Sequence, residues 1–203
     1  MNYLAHAYLS FHDPEILVGN MISDYVKGKK KFDYLPGIQK GMEIHRAIDT
    51  FTDDHAVTKR AKEIFRPHYR LYAGAFVDVL YDHYLATDET IFINTTALHQ
   101  FATETYQTLE PFNGLFPERF AMMFPYMKTQ NWLFNYHERW GIEKSLQGVV
   151  RRAAYLTESA TAFRLFEENF DELQECYDEF FPLLFAFVQT MFNEYKNHTP
   201  GNV

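Results

Sequence analysis

"RLYAGAFVDVLYDHYLA", residues 70 to 86, decides the fold. Wound at about 3.6 residues per turn, it is apolar on nearly every side, the pattern of a helix surrounded by other helices in the middle of a domain. The spacing of apolar residues stays helical in both directions from it, and few β-branched alternating runs compete. Helices are expected over about 2–10, 14–28, 36–54, 56–66, 70–86, 90–108, 116–130, 142–157, 159–175 and 180–197. The fold class is therefore all-α, a single-domain multi-helix bundle spanning residues 1–203.

Turn chemistry supports these divisions. Asp13 can cap a helix that begins near Pro14, and Pro36 can open another. "LEPFNGLFP" should separate two later helices, and Pro182 is expected to open the last one. "IFINTTALH" has strand-like composition but no obvious pairing partner, so it reads as a loop or helix start.

The buried helix nonetheless carries Asp78 and Asp82, spaced i,i+4 along one stripe. An unpaired carboxylate in an apolar interior is very costly, so something positive must lie nearby, either a metal ion or an arginine. His83 points roughly 100° away from Asp82 and belongs to a different contact.

Upstream, "GMEIHRAIDTFTDDH", residues 41–55, repeats the oddity. Its helical wheel puts His45 and Asp49 on the apolar side, again i,i+4, with about 5–6 Å between Cβ atoms. Arg46 and Asp53 fall at the edge of that side, and Asp54 faces water. In "LVGNMISDYVKG", residues 17–28, Asn20 and Asp24 share a stripe with Leu17 and Met21. His6 lies on a short apolar helix and alone would read as a satisfied core histidine.

Four segments within residues 1–86 thus send Asp or His inward, with no comparable set later. Carboxylate and imidazole without thiolate suit Mn²⁺ first, with Mg²⁺, Fe²⁺ or Zn²⁺ as alternatives. Such an ion polarises phosphoryl oxygens and acidifies bound water, so phosphoester hydrolysis is the natural use. Neither a Gly-x-Ser-x-Gly elbow, nor a phosphate-cradling glycine loop, nor a Glu-x-x-His pair of the di-iron bundles is found.

Net charge is −8, but residues 1–86 hold 11 basic and 11 acidic side chains against 8 and 16 in the remainder. Basic clusters at 27–31 and 59–70 are solvated surface or a docking patch for an anionic partner. They lack interleaved aromatics, which argues against nucleic acid. The most apolar segment, 180–192, is too short to span a bilayer, so no membrane association is expected. The N-terminus lacks a basic, signal-like region. The lone Cys176 points to a reducing compartment, hence a cytoplasmic location.

"MNYLAHAYLS", "LVGNMISDYVKG", "GMEIHRAIDTFTDDH" and "VDVLYDHYLA", in this order, resemble the bacterial acyl carrier protein phosphodiesterases, with a weaker continuation through "NWLFNYHERWGIEKSLQGVVRRA". The resemblance implies an all-helical enzyme that hydrolyses 4'-phosphopantetheine from holo acyl carrier protein, giving apo-protein, with a divalent metal, preferably manganese. It also implies a distant similarity to HD-type metal phosphohydrolases and hence an HD-domain-like bundle. An HD domain has an adjacent His-Asp dyad; here that order occurs in the loop pair His12-Asp13 alone, and Asp54-His55 and Asp82-His83 are reversed.

Carried over by motif, the metal candidates are Asp24, His45 and Asp78, then Asp49 and Asp82. His6 and His83 are expected to transfer protons or support the ligands, and Arg46 to contact phosphate. Acyl carrier protein, itself acidic, would dock on the two basic clusters. An HD-like nucleotide phosphohydrolase and a non-enzymatic helical binding module are the competing readings.

Overall fold

A computed structural model describes residues 1–198, and among them the chain forms helices and no strand. The α-helices are α1 (Tyr3–Tyr8), α2 (Pro14–Ile22), α3 (Pro36–Asp54), α4 (Ala56–Tyr69), α5 (Ala73–Thr87), α6 (Thr95–Leu109), α7 (Glu118–Thr129), α8 (Trp132–Asn135), α9 (Arg139–Arg152), α10 (Ala160–Glu168) and α11 (Phe170–His198).

The starts follow local chemistry. The Asp13 carboxylate accepts from Ile16 N–H at the head of α2, and Pro14 occupies the first turn, where its missing N–H costs nothing. Pro36 opens α3 in the same way. In "IFINTTALH" the Asn94 side chain accepts from Ala97 N–H and begins α6.

α5 is the central element. Phe76, Val77, Leu80, Tyr81, Tyr84 and Leu85 are all buried, facing α1, α4, α9 and α11 around it. Helices α2 and α3 pack so closely that a Cβ at Gly19 would lie 2.1 Å from the Ile38 carbonyl oxygen and 2.7 Å from Gly41 Cα. Backbones can meet at that distance only because neither position has a side chain. The apolar core is one contiguous cluster running from α1 to α11.

The structure departs from the expected boundaries in several places. The helix expected over 14–28 ends at Ile22; short 3₁₀ turns over Ser23–Tyr25 and Gly28–Asp33 follow, with Val26 extended between them. Lys27, Lys29 and Lys30 are exposed, so no apolar face pulls that segment into a longer helix. Pro182 lies inside α11 rather than opening it, because the buried face formed by Leu173, Cys176, Tyr177, Phe180, Phe181, Leu184 and Val188 continues across it. α10 stops at Glu168, and α9 begins at Arg139, earlier than expected, and ends at Arg152. The short α8 falls where no helix was expected.

Candidate metal centre

Three elements build the cluster: α1 supplies His6, α3 supplies His45 and Asp49, and the 3₁₀ turn after α2 supplies Asp24, which is exposed rather than inward because the helix ends at Ile22. His45 Nε2 sits between two carboxylates, 3.2 Å from Asp24 Oδ1 and 3.1 Å from Asp49 Oδ2. His6 Nε2 lies 3.2 Å from Asp49 Oδ1. The two imidazoles stack, with centroids 4.0 Å apart and an angle of 15° between planes.

The rings are held from behind. His45 Nδ1 is 2.8 Å from the Asn20 carbonyl oxygen, an N–H donation that leaves Nε2 to face the carboxylates. The Asn20 side-chain amide donates to Ser10 Oγ at 2.9 Å, and the Ser10 hydroxyl donates to the His6 carbonyl at 2.8 Å. Asn20 thereby ties both histidine-bearing helices to α2.

Electrostatics follow from this crowding. Burial opposes a charge on His45, but the flanking Asp24 and Asp49 outweigh it and raise its pKa to about 9. His45 in turn holds Asp24 below the usual carboxylate range. Burial would raise Asp49, but His45 and His6 beside it win and depress it strongly. His6 goes the other way: burial, then the charge of His45, lowers it to about 4.

The donor set fits a divalent cation. Ligand atoms of His6, His45 and Asp49 all lie within 4.8 Å of one another, the one such cluster among the described residues. His6 is buried, yet neither ring nitrogen has a hydrogen-bond partner; its contact with Asp49 is close but misaligned. An orphaned imidazole in a core is costly, and a coordinated ion would satisfy it. Two imidazoles and a carboxylate also match the borderline-to-hard preference expected for Mn²⁺, Fe²⁺ or Zn²⁺.

The remaining candidates are placed differently. Asp78 is half-buried and contacts the amino group of Met1 at 2.9 Å, which also lies 3.6 Å from Asp49, so Asp78 borders the cluster through that amine. Burial raises the Asp78 carboxyl against the pull of the amine. Asp82 is fully buried and accepts from the N–H groups of Asn2, Leu4 and Ala5 at 3.1, 2.6 and 3.3 Å, anchoring the first turn of α1. Burial pushes Asp82 up to about 7, with the amine and those N–H groups acting against it.

His83 faces another way, donating Nδ1–H to the Tyr136 carbonyl at 2.7 Å and packing edge-on against Phe166. Arg46 is exposed and lines a separate groove with Phe51, His55 and Phe187. The supporting roles of Asn20 and Ser10 were not legible as such; small polar side chains among apolar neighbours, Asn20 on α2 and Ser10 in the turn after α1, were the available signal.

A family model described as acyl carrier protein phosphodiesterase matches residues 1–184. The chain belongs to the acyl carrier protein phosphodiesterase family. Among relatives so named, that of Yersinia enterocolitica is 31% identical over 189 residues, covering 93% of this chain and 98% of the relative. That of Klebsiella pneumoniae is 30% identical with the same coverage. The Photorhabdus laumondii protein is 28% identical over 184 residues, 91% of this chain and 93% of its own. No solved structure matches significantly. The match to the family takes in α1 to α10 and the first half of α11, and with them all the site residues.

Among the described residues no helix is long and apolar enough to cross a membrane.

Proposed function

We propose that this chain hydrolyses the phosphodiester joining 4'-phosphopantetheine to a serine of holo acyl carrier protein, using a divalent ion held by His6, His45 and Asp49. The observation that carries the metal is the buried, unpartnered imidazole of His6 facing Asp49 and stacked on His45. Mn²⁺ is the preferred ion, on the strength of an imidazole and carboxylate donor set without thiolate.

A bound divalent ion supplies charge neutralisation at the phosphoryl oxygens. The chain's own residues do the positioning. Asn20 orients His45 through its Nδ1–H, so that Nε2 stays aimed at the Asp24–Asp49 gap. Asp49 joins both imidazoles, and Asp24, the most exposed member with 72% of its side chain accessible, stands at the mouth as an ionised carboxylate. Asp78 extends the anionic rim, while Asp82 keeps α1, and therefore His6, in place.

Docking of the acidic carrier protein falls to the cluster at 27–31. It begins three residues after Asp24, and Lys29 and Lys30 are exposed. Cluster 59–70 is less available: Arg60 pairs with Glu179, Lys62 with Asp53 and Arg66 with Glu63. A cytoplasmic location accords with the single buried free Cys176.

The test is incubation of the pure protein with holo carrier protein and Mn²⁺, with mass spectrometry following loss of the arm. Intact holo-protein after incubation with Mn²⁺, Mg²⁺, Fe²⁺ and Zn²⁺ in turn would refute the reading.

A further inference from the structure

A cavity of about 460 Å³ opens between the start of α1 and the helices α8 and α9. This is within the range of roughly 300–1,000 Å³ typical of small-molecule sites. One wall is Asn2 and Tyr3, only a turn before His6, so the cavity begins where the candidate metal centre ends. The lining also includes the indoles of Trp132 and Trp140 and the cations Lys144, Arg151 and Arg152.

Several cations of this chain are already neutralised. Arg60, Arg66, Arg139 and Arg164 each pair with a glutamate. Lys144, Arg151 and Arg152 pair with no carboxylate among the described residues, although the protein carries a net charge of −8. Arg152 is near enough to act on the phenols of both Tyr3 and Tyr136. Tyr3 also feels Asp24, and its hydroxyl is 2.7 Å from that of Tyr25, the residue after Asp24. Tyr3 therefore spans the distance from the basic cavity to the mouth of the carboxylate–imidazole cluster.

We propose that this cavity binds the 4'-phosphopantetheine arm of the carrier protein, an assignment that rests on the activity proposed above. The chemistry of the arm matches the walls. Its phosphate, at the reacting end, needs cations that are not already neutralised, and Arg152 beside Tyr3 supplies one. Its amides need polar partners: the Asn2 oxygen is used in capping Tyr3 N–H, which leaves the Asn2 amide N–H₂ to donate, and Ser145 adds a hydroxyl to the lining. Its dimethyl and thiol segments need apolar surface, which Trp132 and Trp140 present. Trp140 is 49% exposed, an uncommon cost for an indole that has no partner to cover it.

Gly148 offers a clean test. It lines the cavity, and a Cβ built there meets only Arg152 Nη1, at 3.7 Å. Gly148→Phe therefore fills the cavity without disturbing the backbone, and Arg119→Glu, a charge reversal at an exposed arginine outside the cavity, is the control. Binding of free 4'-phosphopantetheine is measured by calorimetry, and circular dichroism and Tm report folding. Wild type and Arg119→Glu should bind alike, while Gly148→Phe and Arg152→Glu should each weaken binding by about tenfold or more. No binding by the wild type, or unaltered binding by folded Gly148→Phe, overturns the assignment. Hydrolysis of holo carrier protein is followed in the same samples. A wild type whose arm binding Gly148→Phe abolishes, but which cleaves nothing, sinks the proposed activity and keeps the cavity assignment.

Discussion

Gly19→Ala should damage the active centre from a distance, through the close approach of α2 and α3. The new Cβ would lie 2.1 Å from the Ile38 carbonyl oxygen, whereas ordinary contact starts at 3.4 Å. The obstructing atoms are backbone, so no side chain can swing away, and α2 must shift by about 1.3 Å. Overpacking of this kind costs about 1–3 kcal/mol, offset by nearly 1 kcal/mol of better helix propensity. A net loss of up to about 2 kcal/mol lowers Tm by up to roughly 8 °C in a domain of this size.

The larger effect is on geometry. Gly19 precedes Asn20, whose carbonyl oxygen accepts from His45 Nδ1 at 2.8 Å, and Asp24 follows on the turn after the same helix. A shift of this size breaks or lengthens that bond and moves Asp24 away from His45. Misplacement by about 1 Å can cost on the order of 10²-fold in rate. The assay is hydrolysis of holo carrier protein under saturating Mn²⁺, with circular dichroism confirming the fold. Wild-type kcat in a Gly19→Ala protein with lowered Tm would show that the α2–α3 register does not position the site.

Asp49→Asn should weaken Mn²⁺ binding by about tenfold or more in titration calorimetry, because it removes the carboxylate charge shared by both histidines. His83→Leu should leave that affinity unchanged but lower Tm, since the buried Tyr136 carbonyl loses its donor at a cost of about 1–3 kcal/mol. Metal affinity should rise by about tenfold per pH unit between pH 6 and 8 and level off above the raised pKa of His45, near 9, because that imidazole must release its proton to ligate. Asp24 and Asp49 are depressed and His6 is lowered to about 4, so none of these titrates in that window. Without metal the sign reverses: the His45 stabilisation is full below about pH 6.5 and disappears as pH climbs through 9, so Tm should fall over that range. Charge reversal of Lys29, Lys30 and Lys31 to Glu should raise KM for the carrier protein and weaken its salt dependence; unchanged kinetics at low salt would remove that docking face.

The sequence by itself determined the helical class, the central place of α5 and the inward direction of His45, Asp49 and Asp82. Each follows from 3.6-residue periodicity, and periodicity is a local property of the chain. It also determined the family, because the four motifs are contiguous strings with fixed spacing. Only the tertiary structure decided which inward groups meet. His6, in isolation a plain core histidine, stacks on His45 because α1 and α3 both pack against α2. Asp82 looked equivalent to Asp78 on one helical stripe, yet its oxygens are consumed by the backbone at the start of α1. The continuation of α11 through Pro182 and the cavity beneath Trp132 and Trp140 were likewise set by packing. A sequence states which face of its own helix a side chain occupies; the partner on the far side of that face comes from residues tens of positions away, and only folding supplies it.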